Sequence, residues 1–497
     1  MKLKNLLGWS SALCLSAMPL QAQTAQEVEL LRKQLKELQD NFAKQQELQR
    51  QQIEALRQKV ESLERSKPTA PATTAAPPAG APAAGVGAKP WSPSDPIRLG
   101  SGRAYADVAF DALFAVGGST ARDIEGGTQL GAHDPNQRGF TVQNLELTLS
   151  GAVDPYFRGQ AAIIYQINSA GESIFEVEEA FAESQALPGG LQLRAGQFFT
   201  EFGRHNPTHP HAWSFVDQPL VNGRMFGGDG MRNPGARLSW LVPAPFYLEA
   251  FLTVQDSHGE TANSFRSDHE GEAFLGRVNT VGRVRSPGDL LFTPRLATSF
   301  ELGDTQTLLL GASAALGPNA SGPDTDTRIF GFDVTWKWRP VNHHGGFPFV
   351  SWTTEAMWRR YDAAAFDWDL NGDGVFTPGT DERDGNGDGI ADVYPREALK
   401  DHGLYSQLAW GFRKNWVAAF RSDWVSSRRA VYERVFLGPD AQRDTRWRLS
   451  PNLTWFPSEF SKVRLQYNYD DRKNIGVDHS LWLQFEFSLG AHPAHKF

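Results

Sequence analysis

The densest run of potential ligand atoms in the chain is Asp369-Leu370-Asn371-Gly372-Asp373-Gly374. It matches the opening of a calcium loop, with oxygen side chains at alternate positions and a glycine for the sharp turn. The pattern recurs as Asp384-Gly385-Asn386-Gly387-Asp388-Gly389, followed by Asp392. Neither copy carries the closing glutamate of an EF-hand, since Thr380 and Pro395 stand there, so both match the short Asp-Asn-Asp repeats of extracellular calcium modules. Crowding carboxylates is costly without a cation. Ca²⁺ in the 363–402 loop is therefore the expected chemistry, as a stiffener of the loop; a solvated acidic loop is the alternative. No other cofactor is required.

A second run, Glu201-Phe202-Gly203-Arg204-His205-Asn206-Pro207-Thr208-His209-Pro210-His211, lies in a long segment at 200–231 that also holds Asp217 and Arg224. Three imidazoles could ligate Zn²⁺ through His205, His209 and His211. Pro207 and Pro210 separate them, and ordinary hydrogen bonding is the alternative. If this segment folds into an enclosed channel, Arg204 and Arg224 become constriction residues beside the histidines and Asp217. Cations recur at alternate positions in extended segments: Arg194, Arg237, Arg295, Arg421, Arg446, Arg448, Lys462 and Arg464. Arg446, Arg448 and Arg464 could form a cationic strip that guides anions through the planar guanidinium fork, or they could pair with carboxylates across the wall. Enzyme signatures are missing: there is no Gly-x-Ser-x-Gly, His-Glu-x-x-His or phosphate-binding Gly-rich loop.

These residues need a scaffold, and from Arg103 onward the apolar pattern has period two. Leu481, Leu483, Phe485, Phe487 and Leu489 alternate with Trp482, Gln484, Glu486 and Ser488. Successive strand side chains point to opposite faces. Elsewhere one set is apolar or aromatic while the other carries full charges. Phe330, Phe332, Val334, Trp336 and Trp338 oppose Asp333 and Lys337; Trp416, Phe420 and Trp424 oppose Arg421 and Asp423. Aromatic residues gather near strand ends, as girdles do at membrane interfaces. Connections alternate between short, as at Asp154-Pro155, and long, near 118–137, 200–231, 256–290, 363–402 and 428–442. Together these predict an all-β transmembrane barrel of about sixteen antiparallel strands, with fourteen or eighteen as alternatives. A mean hydropathy of −0.42 fits, because every second residue of such a wall faces water.

The rest of the chain divides by composition. Residues 1–22 read as a signal peptide, with Lys2 and Lys4 before an apolar run. Residues 23–66 form a coiled-coil helix, with Val28, Leu31, Leu35, Leu38 and Phe42 on a heptad seam that resumes at Ile53 after a stutter. Residues 67–97 are a Pro/Ala-rich linker, and 98–497 the barrel. Cys14 is the sole cysteine and falls in the signal, which excludes a disulfide framework. A net charge of −8 and the absence of basic-aromatic stretches argue against nucleic acid as a partner.

The final aromatic Phe497 after a period-two strand resembles the C-terminal recognition signal of outer-membrane barrels. Residues 98–497 are similar to the phosphate-selective porin O/P family and its sixteen-stranded relatives. The coiled coil ahead of the barrel resembles that of trimeric dicarboxylate-type porins. The resemblance rests on architecture, and no ligand-specific motif is carried over. It implies a bacterial outer-membrane porin, not an enzyme, for passive diffusion of small hydrophilic solutes, with a preference for anions. It further implies contact with outer-membrane lipid, and a homotrimer assembled through a coiled coil in the periplasm. The alternative function is a structural anchor, tethering the outer membrane to the cell wall through the coiled coil.

Overall fold

A computed structural model describes residues 97–101, 104–152, 154–266, 271–280 and 283–490. The signal peptide, coiled coil, linker (but for its last residue, Ile97) and Phe497 lie outside the described residues.

Sixteen antiparallel strands form one closed wall: β1 (Ala104–Ser119), β2 (Gly139–Ala152), β3 (Phe157–Ile167), β4 (Ser173–Ser184), β5 (Leu191–Phe199), β6 (Arg232–Leu241), β7 (Tyr247–Asp256) and β8 (Leu290–Glu301). They continue as β9 (Gln306–Pro318), β10 (Asp326–Trp338), β11 (Phe349–Ala363), β12 (Glu397–Arg413), β13 (Trp416–Arg428), β14 (Arg446–Ser458), β15 (Ser461–Arg472) and β16 (Gly476–Leu489). Each pairs with its sequence neighbours, and β1 closes the ring against β16 from Phe110↔Leu489 to Ser119↔Ser480. A short strand, Ile97–Ser101, folds back on the start of β1. β12 starts six residues before the sequence pattern predicts, because Glu397 through Asp401 continue the ladder opposite Arg359 to Ala363. Among the described residues no helix is long and apolar enough to cross a membrane.

The two faces separate as the alternation requires. Along β14, Arg446, Arg448, Ser450, Asn452 and Thr454 are buried, while Trp447, Leu449, Leu453 and Trp455 are exposed. Lys462, Arg464 and Asp423, the residues whose direction decides between a wet interior and an inverted sheet, all point inward. Outside, Trp416 stacks on Trp455 at 6.0 Å, and Trp424 lies 5.9 Å from Trp447. These two tryptophan rows are eight residues apart on each strand, or about 26 Å along it. Between them Leu408 pairs with Phe420 on the outer face. At another part of the circumference the outward side chains are small: Gly159, Ala182, Ala195 and Ala236 sit side by side across β3 to β6.

Part of the interior is occupied by chain. The 200–231 segment turns inward and carries a two-turn helix, α1 (Leu220–Phe226). Leu220, Val221, Met225 and Phe226 pack with Phe202, Met231 and Phe265 against Met357, Tyr405 and Val425 of the wall. Full burial of such side chains contributes roughly 1.5–3 kcal/mol each, which holds the segment inside.

Candidate functional site

One carboxylate of the inward loop gathers five side chains around it. Asp217 Oδ1 accepts from Arg421 Nη2 at 2.6 Å and Gln466 Nε2 at 3.0 Å. Its Oδ2 accepts from Asn468 at 2.8 Å, Arg448 at 3.0 Å and Gln129 at 3.3 Å. Burial by itself would raise the Asp217 carboxyl, but Arg421 and Arg448 overcome it and hold the group down at about 2. Backbone contacts extend the docking: the Val216 N–H donates to Gln466, and the Leu220 N–H donates to Asp423. A second loop, 120–138, joins in. Arg446 Nη1 donates to the Gly127 carbonyl at 2.9 Å, and Arg446 and Arg448 both reach the Thr128 carbonyl.

The inward cations are thus engaged with carboxylates, loop carbonyls or amides. Arg194 and Arg237 share Glu183, at 2.7 Å and 3.0 Å. Arg295 pairs with Asp333 at 2.6 Å, Arg446 and Arg448 both pair with Asp470, and Lys462 pairs with Glu486. Arg464 donates to Thr454, Gln484 and the Trp213 carbonyl. Of the three arginines of the expected strip, Arg446 and Arg448 pair with carboxylates and Arg464 does so with none among the described residues.

The loop histidines divide. His205 lies against Trp213 with ring centroids 4.8 Å apart. Burial, with Arg421 nearby, pushes its imidazole down to about 3, so it is neutral at physiological pH. His209 and His211 stack 5.7 Å apart and meet the wall instead. His209 Nδ1 lies 3.0 Å from Glu178 and 3.3 Å from Glu146; its Nε2 lies 3.1 Å from Glu179; His211 Nδ1 lies 3.1 Å from Glu146. Arg204 and His205 donate their backbone N–H groups to Glu355, and Arg224 donates to the Arg443 carbonyl.

Sequence periodicity missed Glu178 and Glu179 as a pair. Strict alternation puts only one of two neighbours inward, yet both are buried. A β-bulge is the reason: Ala162 pairs with Glu179 and Ile163 with Val177, so Glu178 is skipped. The same device at Leu113/Phe114 turns both Gln143 and Asn144 inward. A polar doublet inside an alternating run was the available signal.

The acidic repeats lie on the 364–396 connection. Asp369 Oδ1 accepts from the Gly372 and Asp373 N–H groups, and its Oδ2 from Gly374. Asp384 repeats this with Gly387, Asp388 and Gly389. Asn371 and Asn386 accept from Asp373 and Asp388, and Asp392 accepts from Gly385. The two copies are the same turn built twice.

No protein-family model matches the chain. An uncharacterized protein of Aquifex aeolicus (strain VF5) is 30% identical over 380 residues, covering 73% of this chain and 71% of that protein. Among solved structures, the outer membrane channel DcaP of Acinetobacter baumannii is 12% identical, with a TM-score of 0.46 over 77% of this chain and 97% of that one. The anion-selective porin from Comamonas acidovorans is 7% identical, with a TM-score of 0.44 over 77% and 100%. Salmonella typhi OmpF, in complex with daunomycin, is 11% identical, with a TM-score of 0.45 over 79% and 100%.

Proposed function

We propose that this chain, which belongs to one family with the Aquifex aeolicus protein, is an outer-membrane channel for passive diffusion of small hydrophilic solutes, narrowed by its own 200–231 loop. One observation carries the reading: a closed sixteen-stranded wall, apolar and ring-rich outside, encloses polar side chains and a loop clamped across the interior at Asp217. Such a surface suits lipid, and such an interior suits water and solutes. The outer membrane is the compartment where barrels of this kind span. Because the wall cations face carboxylates, the proposed charge preference is weak rather than strongly anionic.

Homotrimeric assembly belongs to the same proposal. The level row of Gly159, Ala182, Ala195 and Ala236 lets a second barrel approach closely, as small residues do in lipid-embedded interfaces. The acidic repeats are proposed as Ca²⁺ ligands that stiffen the loop at 364–396. Purified protein in a planar lipid bilayer should give stepwise conductance, in threes for a trimer. Failure to conduct at any applied voltage would sink the channel reading.

A further inference from the structure

The cluster where the inward loop meets β2 and β4 has a chemistry that diffusion does not use. His209, Glu146 and Glu178 bring one ligand atom each within 4.8 Å of one another, and all three residues are buried. The His209 Nδ1 lies 3.0 Å from a Glu178 oxygen and 3.3 Å from a Glu146 oxygen. It makes a hydrogen bond to neither, and both Glu178 carboxylate oxygens accept none. A hydrogen bond needs its hydrogen aimed along the donor–acceptor line; here the charges are close and the aim is wrong.

The other face of the ring explains the orientation. His209 Nε2 is hydrogen-bonded to Glu179 at 3.1 Å. A carboxylate there only accepts, so Nε2 carries a proton, and a neutral imidazole then turns its Nδ1 lone pair toward two more carboxylates. That arrangement is repulsive unless a cation sits among them or the ring takes a second proton. It is also the usual surrounding of a metal-bound histidine, whose second ring nitrogen donates to a carboxylate that fixes the tautomer. Ligand bonds of about 2.0–2.2 Å around a divalent ion place neighbouring donors about 3–3.5 Å apart, the spacing found here. His211 Nδ1 is hydrogen-bonded at 3.1 Å to the same Glu146 oxygen and so supports that carboxylate from outside the three-residue group. On the far side His133 Nε2 lies 3.1 Å from the other Glu178 oxygen, with Arg232 3.2 Å from it. A small cavity lined by His133, Glu178, His205 and Asp229 lies on the Glu178 side of the cluster.

We infer that Glu146, Glu178 and His209 bind a divalent first-row transition ion of the Zn²⁺ type and so staple the inward loop to the wall. The mixed imidazole and carboxylate donor set suits such ions better than Ca²⁺ or Mg²⁺. This site goes beyond the channel reading and does not rest on it. It differs from the His205, His209, His211 triad expected from the sequence, since His205 points elsewhere and two wall carboxylates take part.

The test uses the whole folded protein, stripped with chelator and titrated with Co²⁺ as a coloured probe, then with Zn²⁺ as competitor. One Co²⁺ per chain, with visible ligand-field absorption bleached by Zn²⁺, is the expected result. Glu178→Gln and His209→Asn should each weaken binding at least about tenfold, and Glu179→Gln, which acts through the ring tautomer, about 10–100-fold. Wild-type protein that takes up no stoichiometric Co²⁺ or Zn²⁺ overturns the proposal without reference to any variant, and leaves a protonated histidine between the carboxylates. Stoichiometric binding that survives both Glu178→Gln and His209→Asn also overturns it, by placing the ion elsewhere.

Discussion

Arg448 Nη1 donates to Asp217 Oδ2 at 3.0 Å and so joins a wall strand to the inward loop across 231 residues of sequence. Arg421 holds the other oxygen of the same carboxylate at 2.6 Å. Both guanidinium groups are almost completely buried. Removing the carboxylate leaves two buried cations each short of a partner, which costs roughly 3–5 kcal/mol when a buried pair is broken. Asp217→Ala should therefore lower the thermal midpoint and free the loop, raising single-channel conductance. Unchanged conductance and midpoint would mean that α1 and its apolar contacts seat the loop without help.

The same carboxylate fixes how docking responds to acid. The Asp217 carboxyl is held down at about 2 in the folded protein, against about 3.9 for an unperturbed aspartate. A depressed carboxylate stabilises above its unfolded pKa, and that contribution, on the order of 2–3 kcal/mol, is lost as pH falls through the folded value. Docking should thus be insensitive to pH from neutrality down to about 4, then weaken between about 4 and 2. Trp213 sits in the loop against His205 and reports the change by its fluorescence. A transition centred near neutral pH would assign control to another group.

Ion selectivity follows from pairing rather than from counting arginines. Arg295, Arg421, Arg446 and Arg448 each meet a carboxylate within 3 Å. Paired charges at this spacing present little net field to a passing ion. The reversal potential in a salt gradient should lie close to zero. Arg446→Ala with Arg448→Ala should act mainly by loosening the loops at Thr128 and Asp217, seen as raised conductance. A large shift of reversal potential toward cations with conductance unchanged would show instead that these arginines act as an anion-guiding strip.

The strands were legible because period two is a local property: Arg446-Trp447-Arg448-Leu449 states its two faces without knowing its neighbours. The inward fate of the 200–231 loop was legible only as a possibility that the resemblance to porins implied, since its anchors Gln466, Asn468 and Arg421 lie more than 200 residues away. The histidine run misled in one respect. Three imidazoles close in sequence looked like one site, but His205 packs on Trp213 while His209 and His211 turn to wall carboxylates. Glu178 was hidden by its bulge, because a single skipped residue reverses the face that alternation assigns.

The acidic repeats make their own prediction. Asp369 and Asp384 each gather three backbone N–H groups, and four glycines of the two turns adopt left-handed conformations with φ between 75° and 81°. Glycine adopts that region without steric cost, and a substitution there would strain the turn. Ca²⁺ titrated calorimetrically into the whole protein should bind and slow proteolysis of the 364–396 connection. Asp373→Asn with Asp388→Asn should weaken binding while leaving the barrel's thermal midpoint unchanged. Identical heats for wild type and the double variant would remove the repeats as ligands.

The outer face decides whether the wall meets lipid or water, and Leu408 with Phe420 is the place to ask. They pair on neighbouring strands, midway between the Trp416/Trp455 and Trp424/Trp447 rows. If those rows mark the two interfaces, the pair lies near the middle of the hydrocarbon, where an arginine on a barrel's lipid face costs roughly 2–4 kcal/mol, against about 0–1 near the interfaces. Leu408→Arg should lower the unfolding free energy in bilayers by that larger amount, and Trp455→Arg by the smaller. In a soluble sandwich an exposed leucine changed to arginine costs little at either position. Equal, small effects at both would therefore place this face in water and remove the membrane from the account of the fold.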